Sequence, residues 1–150
     1  MSQASEVERA DRIGRRRARI FAAQAILFIS WQALFFSGPD EDPMRTVSVV
    51  KLSAWFVWVL ALLLMLATGG GLLRDRKLRG LLNDELTLQN RTAAYVMGFW
   101  AAMGAGIGLY LVAMFEPVSG LEAVHTVLSA AIAAGLLTFA LRERRTAGSG

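Results

Sequence analysis

The chain has 150 residues, of which 55% are hydrophobic, and it contains one histidine and no cysteine. A mean hydropathy of +0.44 is too high for a soluble domain of this size, and the missing cysteine excludes disulfides, thiolate metal sites and thiol catalysis. The net charge of +4 and a pI near 10.3 would suit nucleic acid, but the basic residues lie at the ends of apolar stretches, where membrane topology already explains them. We therefore expect no nucleic-acid partner.

Four apolar stretches, at about 20–37, 46–73, 92–115 and 121–141, dominate the chain. Each provides about the 20 residues with which a helix crosses roughly 30 Å of hydrocarbon. Backbone amides find no water in lipid, so these spans should be helical. The sequence predicts an all-α membrane protein: a single transmembrane domain, residues 1–150, folded as an up-down-up-down bundle of four helices.

Basic residues beside membrane spans are retained on the cytoplasmic side. Of the sixteen basic residues, all but Arg45 and Lys51 fall on one side of this arrangement. Both termini should therefore be cytoplasmic. The arginine-rich, alanine-rich and glycine-rich composition is typical of a GC-rich bacterium, so we expect a bacterial inner membrane protein with the lipid bilayer as its surroundings.

In the first span, Gln24, Ser30 and Gln32 are predicted to hydrogen-bond to neighbouring helices, since polar side chains in lipid need partners. The short acidic turns at 38–43 and 116–120 contain proline and glycine, which end helices. Short turns make the spans that they join neighbours in the bundle.

Three glycines, Gly69 to Gly71, close the second span and predict a hinge or a close backbone approach. The inner loop, 74–91, follows. Its leucines recur at the spacing of a short amphipathic helix: Leu78, Leu81, Leu82 and Leu86. We expect this helix to lie at the cytoplasmic surface of the membrane.

The inner loop also carries polar residues that are candidates for interaction: Asn83, Asp84, Glu85, Gln89, Asn90 and Arg91. Glu85 is a candidate for a salt-bridge clamp with the arginines near either terminus. In the other interpretation, the whole set is a recognition surface for a cytoplasmic protein. Exposed ion-pair networks are frequent, which favours the clamp.

Small residues in the third and fourth spans form a candidate helix-association face: Gly98, Ala102, Gly104, Ala105, Gly108, Ala131 and Gly135. Small side chains let helices approach closely, which is how apolar helices associate in lipid. The simpler interpretation is packing of the third span on the fourth. The alternative is assembly with a second copy or with other membrane protein subunits.

A candidate outer polar cluster combines Lys51 with Glu122, His125 and Ser129, which share one face of the fourth span. One hypothesis is a metal or proton site in which Glu116 and Asp42 assist. The alternative is an interfacial histidine with a lysine that reaches water or pairs with Glu122. A single histidine among scattered carboxylates lacks the spacing of a metal site, so no metal is predicted.

No ionisable residue lies near the middle of a predicted span, where coupled transporters place theirs. No catalytic or phosphate-binding motif is present, so we expect neither enzymatic activity nor a cofactor. Three segments, Leu82 to Glu85, Asn90-Arg91 and Gly98 to Trp100, resemble uncharacterised small four-span bacterial inner-membrane proteins. That resemblance implies a fold and a membrane address but no activity.

The function that the sequence favours is association through helix faces, as an accessory or structural subunit of a larger membrane complex or as a homo-oligomer. One alternative is a small transporter or channel formed between protomers, with Gln24 and Gln32 along the path. The other is a membrane sensor that binds a cytoplasmic regulator through residues 83–91.

Overall fold

The computed structural model describes residues 3–36, 46–70 and 85–146. These residues form four helices and no strand, which confirms the predicted all-α class: α1 Gln3–Phe36, α2 Thr46–Ala67, α3 Glu85–Ala113 and α4 Gly120–Thr146. Within the described ranges, α2, α3 and α4 are long and apolar enough to cross a membrane. The first predicted span falls in the second half of α1 and stays a prediction.

Helix α4 is the centre of the molecule. It packs closely against α3 and α1 and over a shorter stretch against α2. Its inward face is apolar along several turns, with Ile132, Leu136 and Phe139 all buried. The residues recur at helical spacing, so burying one face of α4 covers all three at once.

The contacts fix the relative directions of the helices. Near the end of α4, Phe139 meets Phe21 of α1 at 4.4 Å between ring centroids, whereas His125, near the start of α4, meets the later residue Gln32. Helix α1 therefore runs antiparallel to α4. In α3, Asn90 contacts the late residue Glu143, and α3 is antiparallel to α4 as well.

Helix α2 runs in the same direction as α4. Trp55 stacks on His125, with ring centroids 4.3 Å apart, and the later residue Leu66 lies beside the later residue Gly135. Successive helices therefore alternate in direction. Aromatic side chains join α2 to α1, since Trp58 lies edge-on to Phe28 at 5.5 Å between ring centroids.

A glycine cap ends α2 at Ala67, although the apolar stretch continues to residue 73. Gly69 and Gly70 have φ of 59° and 76°, the left-handed region that glycine adopts without strain. The Gly70 amide donates to the Met65 carbonyl at 2.9 Å, and the Gly69 amide donates to the Leu66 carbonyl at 3.2 Å. This is the Schellman motif, which satisfies the last carbonyls of the helix.

Helix α3 begins earlier than the predicted third span. Residues 85–91, assigned by sequence to the amphipathic loop, form the first two turns of α3. The glutamate at the first turn is favourable because it faces the positive end of the helix dipole. The remainder of the predicted loop, 74–84, lies outside the described residues, and so does Gly71.

Candidate functional site

Four polar side chains are buried together where the middle of α1 meets the first turns of α3 and the last turn of α4: Arg17, Thr87, Asn90 and Glu143. We call this group the arginine–glutamate cluster. Arg17 forms an ion pair with Glu143 through Nη2, which also donates to Thr87 Oγ1 at 3.0 Å. Asn90 Nδ2 donates to the second carboxylate oxygen of Glu143 at 3.2 Å. Both oxygens of the buried carboxylate therefore have partners.

Apolar and backbone groups complete the surroundings of Arg17. Its guanidinium lies over the ring of Phe139, 5.5 Å from the centroid, a cation–π arrangement. The capped end of α2 also approaches it, because Cβ atoms built on Gly69 and Gly70 would lie 3.9 and 3.7 Å from Arg17 atoms. The glycine run thus serves a close backbone approach, one of its two predicted roles. The cluster therefore joins α1, α3 and α4 and lies against the glycine cap of α2.

The sequence predicted a salt-bridge clamp that uses Glu85, and this stays a prediction; the acid of the buried ion pair is Glu143. Glu85 and Gln89 are exposed on α3, and Arg91 is half-buried next to the α2 cap. Asn90 points into the arginine–glutamate cluster, away from any recognition surface. Asn83 and Asp84 lie outside the described residues. The exposed face at the start of α3 therefore retains Glu85 and Gln89 from the predicted set.

A second buried polar group lies at the other end of the bundle: Gln32 of α1, Trp55 of α2, and His125 and Ser129 of α4. We call it the histidine cluster. His125 Nε2 is 2.5 Å from Gln32 Oε1, and because an amide oxygen only accepts, this contact suits the tautomer with the proton on Nε2. Among the described residues, Gln32 Nε2, Trp55 Nε1 and Ser129 Oγ have no hydrogen-bond partner.

The predicted outer polar cluster is divided between two environments. His125 and Ser129 are buried in the histidine cluster, whereas Lys51 and Glu122 are exposed. Glu122 forms a capping box at the start of α4 with Ser119: the Glu122 amide donates to Ser119 Oγ at 3.2 Å, and the Ser119 amide donates to Glu122 Oε2 at 3.0 Å. Within the described part of the chain, no three histidine or acidic side chains group as metal ligands.

The residues of the predicted helix-association face also fall into two groups, one packed between α3 and α4 and one left uncovered. A Cβ on Gly98 would lie 3.0 Å from the Ala131 carbonyl oxygen, and one on Gly135 would lie 3.5 Å from the Ala94 carbonyl oxygen. These small residues hold the backbones of α3 and α4 together. Ala102, Ala105 and Ala131 are half-buried.

Gly104 and Gly108 are different, because a Cβ at either position would meet nothing within 4 Å. The buried residues of α3 are Thr87, Asn90, Ala94 and Gly98, all in its first half. In the second half, 99–113, no residue is buried, and large side chains such as Trp100 and Tyr110 are 64% and 71% exposed. The second half of α3 thus presents an uncovered apolar face that contains the Gly104-xxx-Gly108 pair.

Sequence reasoning missed Arg17, Thr87 and Glu143 as site residues. Arg17 is one of six arginines before the first span, and Glu143 stands among three arginines at the end of α4, so neither is distinctive in the sequence. One signal was available: Glu143 lies 18 residues after His125, which is five turns of helix, and both therefore share a face of α4.

The fold and these two clusters define an all-helical protein with three candidate membrane-spanning helices and a buried polar group at each end of its bundle. Comparisons with family models, curated proteins and solved structures find no match.

Proposed function

We propose that this chain is a non-enzymatic integral membrane protein that works by helix association, as an accessory subunit of a larger complex or as a homo-oligomer. In this proposal α1 provides the fourth span, the bundle lies in a bacterial inner membrane, and both termini are cytoplasmic. The uncovered second half of α3 carries the proposal. A pair of glycines one turn apart, open to the surroundings, lets a further helix approach the backbone closely.

The test compares two leucine substitutions on α3. In Gly104→Leu, the new side chain blocks the proposed contact face, and its Cβ has no atom of its own chain within 4 Å. Gly106→Leu is the matched control, because Gly106 also has open space around it but lies roughly 160° away from Gly108 on the helix. Both variants should insert and fold.

The chain is purified untagged from its native membrane in mild detergent, and native mass spectrometry identifies what travels with it. We expect wild type and Gly106→Leu to carry a stoichiometric partner or a second copy, and Gly104→Leu to be a lone monomer. A wild-type protein without companions, or a Gly104→Leu assembly equal to that of wild type, would count against the proposal.

Binding of a cytoplasmic protein is a second candidate, favoured by the exposed Glu85 and Gln89 on the first turns of α3. These side chains lie on the surface at the end of the bundle where α3 begins and α4 ends. Capture of a soluble partner should be lost in Glu85→Ala and retained in Glu122→Ala, which removes an exposed acid at the opposite end. Capture that survives Glu85→Ala would contradict this candidate.

Transport through one protomer has less support. The arginine–glutamate and histidine clusters are separated by an apolar core that includes Phe28, Leu62 and Leu136. A continuous polar path would therefore have to form between protomers, which itself requires association. The transport proposal therefore depends on the native mass spectrometry experiment above. If that experiment finds an oligomer, solute flux into liposomes tests transport.

A further inference from the structure

Four arginines form a stripe along α1: Arg12, Arg15, Arg16 and Arg19. They recur at i, i+3, i+4 and i+7, so they share one helix face, and all four are exposed. The face that α1 buries carries Phe21, Ala25 and Phe28. On a helix of 3.6 residues per turn, the arginine stripe lies roughly opposite to that buried face. It therefore points away from the bundle.

The position of the stripe along α1 is defined by the apolar part of the helix. Ile20, where the apolar part of α1 begins, directly follows Arg19, and the helix continues without interruption from Gln3 to Phe36. The stripe covers about 10 Å of helix axis at 1.5 Å per residue. The polar headgroup layer on each side of the hydrocarbon is roughly 5–8 Å thick. With α1 placed in the membrane as proposed above, the stripe overlaps the layer of the lipid phosphates.

The charges of the stripe are distinct from the charge inside the bundle. Arg17 points inward and pairs with Glu143, so it belongs to the arginine–glutamate cluster. Arg16 and Arg19 have no acidic residue three or four positions away in either direction along the helix, where ion pairs within a helix would form. These two arginines are also the members of the stripe nearest to the apolar stretch.

The arginines at the end of α4 are arranged differently. Arg142, Arg144 and Arg145 are exposed, but successive residues of a helix are rotated by 100°, so the three spread around α4 instead of forming one stripe. Their contribution to the positive end of the bundle is diffuse. Removing two arginines from α4 therefore provides a control that removes as much charge, at the same end of the molecule, as removing two from the stripe.

We propose that the arginine stripe binds the phosphate groups of anionic phospholipids in the leaflet at the Arg17 end of the bundle. Guanidinium groups match phosphate oxygens in geometry and charge, and basic residues beside a membrane attract anionic headgroups. The inference rests on the membrane placement of α1 proposed above, but it requires no association between chains. The stripe holds α1 at a fixed depth in the membrane.

The experiment titrates the detergent-solubilised full chain with phosphatidylglycerol and follows bound lipid by native mass spectrometry. Phosphatidylcholine, which has no net charge, and inorganic phosphate are titrated in parallel. We expect phosphatidylglycerol to bind more tightly than phosphatidylcholine, and inorganic phosphate not to displace it. Each arginine near the surface contributes about fivefold to binding, so Arg16→Gln with Arg19→Gln should weaken it about 25-fold.

Two further double variants complete the test. Arg144→Gln with Arg145→Gln removes equal charge from α4 and should weaken binding less than about fivefold. Arg16→Lys with Arg19→Lys keeps the charge and should retain most of the preference for phosphatidylglycerol. Thermal unfolding in the same detergent, without added lipid, verifies that the variants are folded.

Equal losses from α1 and α4, unchanged binding after the α1 substitutions, or displacement by inorganic phosphate would each overturn the proposal. The same spectra report the number of protein chains in each complex. The spectra therefore distinguish a loss of lipid binding from a loss of association between chains.

Discussion

The stability of one end of this bundle depends on the buried ion pair of Arg17 and Glu143. Both side chains are almost fully buried, and each makes a further hydrogen bond with a side chain of α3, while Arg17 Nε has no partner among the described residues. The desolvation of two charges is offset only while both partners are present. Removing one partner leaves an uncompensated charge inside the protein, whereas removing both leaves none.

Glu143→Leu should therefore destabilise the fold by about 3–5 kcal/mol, because Arg17 would remain buried without its counter-charge. The measurement is thermal or denaturant unfolding in mild detergent micelles. Arg144→Gln, a change of the exposed neighbouring residue, should stay within about 0.5 kcal/mol of wild type.

The double variant Arg17→Met with Glu143→Leu separates charge from packing. It should recover most of the lost stability, since apolar side chains of similar volume can replace a buried pair. If the double variant is as unstable as Glu143→Leu, packing and not the uncompensated charge governs this end.

Substitution of Ser129, unlike that of Glu143, should not destabilise the fold. Its hydroxyl is buried and has no partner among the described residues. An unpaired buried hydroxyl costs about 1–3 kcal/mol, so Ser129→Ala should be neutral or should stabilise the fold. Unfolding of the variant is compared with that of Ser53→Ala, an exposed serine on α2. A loss of more than about 1 kcal/mol in Ser129→Ala would show that the hydroxyl is hydrogen-bonded in the membrane.

Among the elements, the α3–α4 pair shows how spacing and geometry divide a set of small residues. Gly98 and Gly104 both belong to the predicted helix-association face, and the sequence alone does not tell which of them contacts α4. The structure separates them, because the buried residues of α3 end at Gly98. Residue type predicts where helices can approach, but the crossing of two helices decides where they do.

Gly98→Leu should disrupt the α3–α4 contact. The first side-chain atom would already lie 3.0 Å from the Ala131 carbonyl oxygen, a backbone atom that cannot rotate away. Such overpacking costs about 1–3 kcal/mol. Gly106→Leu, whose Cβ has no neighbour within 4 Å, should unfold like wild type or at slightly higher temperature, because leucine has the greater helix propensity. Equal unfolding of the two variants would contradict the packing described for α3.

The existence of the helices was predictable, but their ends were only partly so. Long apolar stretches predict α2, α3 and α4 because lipid requires intrahelical hydrogen bonds. The end of α2 depends on glycines that adopt positive φ, and hydropathy does not register that conformation. The start of α3 depends on continuity between a polar segment and an apolar one, which the amphipathic spacing of the leucines obscured.

At the scale of the whole molecule, charge is strongly asymmetric. The Arg17–Glu143 pair joins the middle of α1 to the end of α4, so the exposed arginines of residues 12–19 and 142–145 share one end of the bundle. The described charged residues at the other end include Lys51, Glu116 and Glu122. A membrane with an anionic, cytoplasmic surface on one side would orient such a molecule. The arginine-rich parts of α1 and α4, which meet at this pair, must then face the same compartment.

Single-cysteine labelling tests this arrangement without background, because the chain has no cysteine of its own. In sealed cells, a membrane-impermeant maleimide should label Glu116→Cys at once, and Arg12→Cys and Arg145→Cys only after the membrane is broken. Ala61→Cys, within α2, should resist labelling in both cases. Because Arg17 pairs with Glu143, Arg12 and Arg145 must respond alike in either orientation of the protein. Labelling of both from outside would reverse the orientation inferred from the arginines, whereas labelling of one alone would contradict the bundle itself.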